Sequence, residues 1–440
     1  MATSIKRSKG SQSSLRIGTF SYWIKIATPP SISGGFQVYT NTVANDNNRG
    51  YWQYTSDGKW RMVDNDDGGT HIQLRTNRLF RDPNAWYHFV VRIDTTQSTN
   101  TDRVRLYVNG VQETSFDQTD YPSQNTDLKI FEGGQTDREY MNRIYGGSAQ
   151  SANWYVSHFH YADGQSYGPD TFGSTDATTG EWKINTSPTV TYGNQGWFMF
   201  KNDASLNDDS GNGNNWSSDS GTIQKSEDCP SNVFATMNPL SSSPYATLTN
   251  GNTSVAGNNN ADTSNCFSTL STGKTGKYYI ETKVTGYTGP RPAFGIGNDD
   301  NPNIGKNTVG GDTHTGGTNY TTPSFAYRND GAIKISGSTA ATYSTFTIGD
   351  IISIAVDMDN GASYVAKNGT WQNSGNPASG ASKTGAITTW TAGSISGFLI
   401  SADIYYGNTG DGNHADADFN FGNGYFGTTA VSSAGTNASN

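Results

Sequence analysis

Asp357 with Asp359 and Asp416 with Asp418 place carboxylates two residues apart. On a strand that spacing aims both groups at one side, as a retaining glycosidase requires of its two acids. Neither pair has a proton donor placed beside it in sequence, and the chain holds few Glu residues of any kind. Chemistry by paired acids is therefore not expected. His158 and His160 stand at i, i+2 and could ligate a metal, but no Cys or carboxylate is spaced to complete the set. They read as structural or surface residues. In the run DDSGNGNNWSSD, Asp208, Ser210, Asn212, Gly213 and Asp219 fall at positions 1, 3, 5, 6 and 12 of a calcium-loop register. Ca2+ is accordingly the one cofactor the residues suggest. Against it, Asp closes the loop where Glu is usual, no helices flank it, and Asp-Ser-Gly-Asn-Gly is also a plain turn sequence. Asp64–Gly69 (DNDDGG) is a second acidic loop with a weaker claim.

The elements around these residues are strands. Trp86–Ile93 and Val104–Val108 alternate apolar with polar residues, and Asn109-Gly110 then turns the chain into a further run. Period-two alternation marks a strand with one face on a core. Asn-Gly between such runs marks a tight hairpin, because both turn residues need positive φ. The same device recurs at Asp350–Asp359 and Tyr364–Lys367 before Asn368-Gly369. Trp52, Tyr54 and Trp60 sit in an ordinary hairpin and are expected to pack inward, the alternative being a sugar platform. In Trp154–Tyr161, the alternation puts Tyr155, Ser157, Phe159 and Tyr161 on one face and the two His on the other.

Composition agrees with β layers. Of 440 residues, 52 are Gly, 12% are aromatic and only 15% are charged, so turns abound and Asn, Ser, Thr and Gln dominate the surface. A net charge of −9 argues against nucleic acid or an anionic membrane as the partner. No run of about 18 apolar residues exists to span a bilayer, so no membrane insertion is expected. The start MATSIKRSKG lacks the apolar stretch of a secretory signal. Cys229 and Cys266 are too few for a disulfide framework.

Phe20–Ile26, WYHFVVRID, LYVNG and WYVSHFHYADGQ resemble, in order, laminin G-like domains of the concanavalin A-like lectin superfamily. The phrases DGQSYGPDTFG, TGEWKI, NQGWFMF, DDSGNGNNWS and DCPSNVFATMNPL are similar to the closing part of such modules in phage virion proteins. GKYYIET, FGIG, YRNDG, GDIISIAVDMDNG, KNGTW and DFNFGN resemble a SPRY domain. The resemblance implies an all-β chain of two β-sandwich (jelly-roll) domains in series. The expected organisation is a basic arm over 1–16, a laminin G-like jelly roll over 17–205, a linker over 206–244, a SPRY-like sandwich over 245–427 and a flexible tail over 428–440.

It also implies a bacteriophage virion surface or appendage protein, found in the virion after assembly in the host cytoplasm. The expected action is adhesion to host-surface glycans or to other virion proteins, with self-association possible and no catalysis. A purely architectural capsid decoration protein is the alternative, and a polysaccharide-degrading hydrolase a third reading. The glucanase relatives carry a Glu-x-Asp-x-x-Glu strand that this chain lacks. Recognition is expected in loops of the second sandwich, at Tyr320, Tyr327, Tyr405, Tyr406 and Asn408. Lys6, Arg7 and Lys9 of the arm are expected to anchor the protein on a larger assembly.

Overall fold

The computed structural model of the chain describes residues 3–28, 35–42, 47–143, 150, 152–242, 246–257, 263–289, 292–299, 323–335, 338–406 and 414–431. The chain divides into two compact units, Met1–Val233 and Phe234–Asn440. Both are built of strands, and the α-helix among the described residues is a single turn, Asn100–Arg103.

The strands of the first unit begin with β1 (Ser4–Lys9), β2 (Ile17–Thr28), β3 (Phe36–Thr42), β4 (Arg49–Tyr54), β5 (Trp60–Asp66) and β6 (Gly69–Thr76). Next come β7 (Trp86–Asp94), β8 (Val104–Val108), β9 (Val111–Glu113), β10 (Phe116–Asp120), β11 (Gln135–Met141) and β12 (Asn153–Asp163). Then follow β13 (Gly173–Thr175), β14 (Trp182–Ile184), β15 (Trp197–Met199) and β16 (Ser217–Ser220). An eight-stranded sheet runs β10-β6-β5-β4-β3-β11-β1-β16, and a six-stranded sheet runs β15-β12-β2-β7-β8-β9. Their facing sides hold the core, in which Trp52, Tyr54 and Trp60 are buried as expected, beside Phe20, Tyr22 and Phe159. The β8–β9 hairpin turns at Asn109 and Gly110 with φ of 49° and 80°, the left-handed pair that Asn-Gly tolerates best.

The structure moves the expected boundaries. The residues taken for a basic arm supply β1, which lies inside the larger sheet between β11 and β16. Residues taken for a linker supply β16 and Trp216, which packs in the core. The physical reason is partnership at long range. Arg7 and Lys9 face inward because Glu139, far along the chain, takes both charges.

Strand β12 also departs from simple alternation. Ser157 pairs with Trp23 and His160 with Ser21, so one extra residue stands on β12, and His158 adopts φ of 47°. The bulge flips the side-chain order. Trp154 and Val156 before it, and Phe159 and Tyr161 after it, all pack on the core, which corrects the expected face of Tyr155 and Ser157.

The second unit starts with β17 (Ala246–Thr249), β18 (Ser254–Gly257), β19 (Thr263–Phe267), β20 (Lys277–Thr288) and β21 (Ala293–Asn298). It continues with β22 (Phe325–Arg328), β23 (Ala332–Ile335), β24 (Ser338–Thr342), β25 (Ile351–Asp357) and β26 (Ala362–Lys367). The last to be used are β27 (Thr370–Trp371), β28 (Thr388–Thr389), β29 (Phe398–Tyr406) and β30 (His414–Asn420). One sheet runs β17-β18-β30-β20-β25-β26-β27, with β28 beside β26, and the other runs β19-β29-β21-β22-β23-β24. Between them lie Ile280, Val284, Phe294, Ile352, Ile354, Val356 and Phe419.

Candidate functional site

In the first unit each sheet turns one face inward and leaves the other outward. The outer face of the six-stranded sheet is already covered. Trp182 donates from Nε1 to His88 Nδ1 at 2.9 Å, which leaves His88 Nε2 to donate to Ser21 Oγ at 2.8 Å. His160 Nδ1 lies 2.9 Å from the Tyr192 hydroxyl and its ring stacks on Phe198. Burial pushes His88 down to about 3 and His158 down to about 4, and holds His160 well below the ordinary histidine range. These are neutral packing histidines. Further along the same face, Lys25 Nζ meets Asp228 Oδ2 at 2.7 Å and Trp86 Nε1 donates to Asp228 Oδ1 at 2.9 Å.

The outer face of the eight-stranded sheet has another composition. Backbone register sets Gln37 of β3, Gln53 of β4, Arg61 of β5, Arg75 of β6 and Gln118 of β10 directly across from one another. Their inward neighbours Phe36, Tyr54, Trp60, Met62, Leu74 and Phe116 fix the direction, since all of these pack on the core. Five adjacent strands at about 4.8 Å spacing make a row roughly 19 Å long. A parallel row holds Tyr140, Thr40, Tyr51, Val63 and Gln73. Arg49 lies over the Tyr51 ring at 4.8 Å and Arg143 over Tyr140 at 4.9 Å.

The first row is buried at Gln37 and Gln53 and half-open at Arg61, Arg75 and Gln118. Arg61 and Arg75 face each other, and like charges directly opposite cost stability. Asp57 and Asp117 take Arg75. Among the described residues no carboxylate pairs with Arg61. Three buried polar atoms of this row, Gln37 Oε1, Arg61 Nε and Gln118 Oε1, have no hydrogen-bond partner in the protein. Buried polar groups are nearly always paired, so these atoms are exceptions, and the parts of the row open to a ligand are the half-exposed side chains of Arg61, Arg75 and Gln118. Sequence reading passed over these residues because Gln and Arg on alternating strands look like ordinary surface. The available signal was the repeated Arg/Gln at outward positions of β4, β5 and β6.

The expected sites fall elsewhere. Arg7 and Lys9 do not form an exposed anchor. Arg7 Nε meets Glu139 Oε2 at 2.6 Å, Tyr39 donates its hydroxyl to the other oxygen, and Lys9 stands over the Tyr161 ring at 4.8 Å. Burial would raise Glu139, but Arg7 and Lys9 hold it below the usual range, while burial brings Lys9 down to about 8. Lys6, on the outer face of β1, is half-buried.

The residues of the calcium register do not converge. Asp208 accepts from the backbone of Phe198, Ser210 and Asn214 and from Ser210 Oγ, so its oxygens staple a turn. Asn212 donates to the carbonyls of Gly193 and Gly196. Asp219 sits on β16 with Ser4 and Arg143 as partners. This donor set does not fit a cation cage. Around Asp64–Gly69, His71 bridges Asp64 at 3.3 Å and Asp66 at 3.2 Å. Its hydrogen bond to Asp64 raises His71 above the ordinary range.

Tyr327 is fully buried in the second core and donates its hydroxyl to the carbonyl of Ser344, so it is a packing residue and not a loop contact. Tyr405 and Tyr406 belong to β29, paired with Ser264 and Thr263, and not to a loop. Tyr320 and Asn408 lie outside the described residues.

Three of the four paired acids accept hydrogen bonds within the protein. Asp357 accepts from Asn360, Asp359 from the Gly276 backbone, and Asp418 from Ser254. Asp416 and Asp418 lie on one strand, β30. Asp137 and Glu139 form a further i, i+2 pair on β11, of which Glu139 is committed to Arg7. Gly164-Gln165-Ser166-Tyr167-Gly168 has the G-x-S-x-G spacing of a nucleophile elbow. Ser166 Oγ, however, accepts from Arg92 Nε at 2.5 Å, and a single 3-10 turn follows where an elbow needs a helix.

Residues 7–155 match the family Laminin_G_3, described as the concanavalin A-like lectin/glucanases superfamily. The matched span lies within the first unit. The matched span contains every strand of the Gln37–Gln118 row. No curated protein matches the chain. Among solved structures, the SPRY domain of human HERC1 is similar at 14% identity and a TM-score of 0.30, over 42% of this chain and 96% of that one. Domains LG4-5 of the mouse laminin alpha1 chain are similar at 9% identity and a TM-score of 0.30, over 95% of this chain and 86% of that one. Domain 4 of AbnA, a GH43 extracellular arabinanase from Geobacillus stearothermophilus solved with arabinotriose, is similar at 14% identity and a TM-score of 0.26. That likeness covers 38% of this chain and 69% of that one.

Proposed function

We propose that the protein is a non-enzymatic adhesin that holds glycans on the outer face of its first unit's larger sheet. The observation that carries this reading is the in-register row Gln37–Gln53–Arg61–Arg75–Gln118, half-open at Arg61, Arg75 and Gln118. Amides and guanidinium groups at strand spacing offer hydroxyl-rich chains alternating donors and acceptors. Each contact is weak, so useful binding comes from many copies on one particle engaging one surface.

The virion of a bacteriophage is the setting we propose, supported by the ordered phrases between Gly164 and Leu240 that resemble phage modules. The test is a glycan array probed with the full chain and with its Arg61→Ala and Gln118→Ala variants. Wild-type binding that falls about tenfold in each variant, at unchanged thermal midpoint, supports the reading. No bound glycan, together with a fixed capsid stoichiometry in purified particles, would instead establish the architectural role.

A further inference from the structure

The second unit has an outer face with a different chemistry. On its larger sheet Tyr279 of β20 stands across from Ala355 of β25 and Tyr364 of β26. The next row holds Asn420, Glu281, Ser353, Ala366 and Trp371, on β30, β20, β25, β26 and β27. Tyr279 and Trp371 thus leave strands about 14 Å apart, yet their rings come within 6.4 Å at 64°. They meet because Ala355, Ser353 and Ala366 beneath them are too small to fill the space. Ala386 closes over Tyr364, which is buried, and these residues form a small apolar cluster separate from the unit's core.

Tyr279 itself is 55% exposed. Among the described aromatic side chains, Tyr278 is the other exposed one, and its hydroxyl is tied to the Gly273 and Thr275 backbone. Among the described aromatic rings Tyr279 is the most exposed, and it stands beside a half-buried indole. The polar border holds carboxylates and an amide, with Lys277 and Lys283 on the same side of β20 as Tyr279. Glu281 Oε1 accepts the Tyr279 hydroxyl at 2.7 Å, Asn420 lies across from Glu281, and Asp418 and Asp416 follow on the same side of β30. Asp416 Oδ1 is buried without a partner, and Lys283 is the cation facing Asp418.

We propose that this face is a second saccharide site, taking neutral pyranosides stacked on Tyr279 and Trp371. Aromatic rings receive the apolar face of a sugar, while Glu281, Asn420 and Asp416 accept or share its hydroxyl hydrogens. The carboxylates along the border repel anionic sugars, which selects the neutral class. A protein partner fits poorly, because a stable interface buries about 800 Å² per side and two rings over an alanine floor offer far less. The site is independent of the row on the first unit and stands or falls without it.

The test uses the full chain in affinity gels containing dextran, galactomannan, xylan or arabinan, each followed by titration with its oligosaccharides. At least one of these neutral chains is expected to retard the wild type. Tyr279→Ala is expected to lose about tenfold in affinity and Tyr279→Phe to keep most of it. The proposal is overturned if no neutral chain binds, or if binding survives Tyr279→Ala at an unaltered unfolding midpoint. A concentration-dependent dimer abolished by Tyr279→Ala would overturn it too, by naming a second copy as the occupant.

Discussion

Removing Asp228 tests whether residues 206–233 are part of the first unit or a tether. Lys25 and Asp228 have side-chain exposures of 0% and 1%, and their charged atoms lie 2.7 Å apart. Asp228 also accepts Trp86 Nε1, and Asn84 Oδ1 is the neutral neighbour of the ammonium at 2.9 Å. Asp228→Ala strands a buried cation, a change that costs about 3–5 kcal/mol. For a unit of this size each kcal/mol moves the midpoint by about 2–4 °C, so the first unit's transition should fall by about 6–20 °C. Scanning calorimetry of the full chain reads the shift, and limited proteolysis should show new cleavage within 206–233. Burial holds Lys25 below the ordinary lysine range. Raising the pH lets the stranded amine neutralise, so the deficit should shrink in alkaline buffer. The double variant Lys25→Met/Asp228→Leu should recover most of the loss, since an apolar pair of similar volume replaces a buried ion pair at little cost. A single-variant loss below about 0.5 kcal/mol, the range of ordinary surface substitutions, would refute the reasoning and restore the linker.

Acid should loosen the first unit well above the carboxylate range. His88, His158 and His160 are held below their unfolded value near 6.5, so the unfolded chain binds protons that the folded one does not. Stability is then present above about pH 6.5 and lost below it, by about 1.4 kcal/mol per pH unit for each group. A urea midpoint that stays flat between pH 7 and 5 would contradict this. In the second unit, Tyr327→Phe should cost about 1 kcal/mol by losing the bond to Ser344, and Tyr327→Ala about 3–5 kcal/mol by opening the core. Chemical denaturation separates the two. Asp208→Ala should lower the first unit's stability by about 1–3 kcal/mol, because it unpairs the backbone of Phe198, Ser210 and Asn214. Calcium should leave the wild-type midpoint in place, whereas an ion at a hundredfold its Kd would add about 2.7 kcal/mol.

Local pattern was enough to show the strands and their turns. The alternation in Trp86–Asp94 and Ile351–Asp357 and the Asn-Gly turns at 109–110 and 368–369 appear where the residues put them. Period-two burial and positive φ are local demands that a few consecutive residues must meet. The sequence by itself therefore determined an all-β chain with inward-packed Trp52, Tyr54 and Trp60. What escaped it depends on groups distant along the chain. Arg7 reads as a surface charge until Glu139 stands beside it, and Asp228 as a linker acid until Lys25 does. One extra residue at His158 reverses a face that alternation had assigned. The Gln37–Gln118 row exists only because five strands align in register, and Tyr279 meets Trp371 only across three strand spacings. Strand order and register are tertiary facts, set by how two sheets fill one core, and the proposed sites lie on the faces that this packing leaves outward.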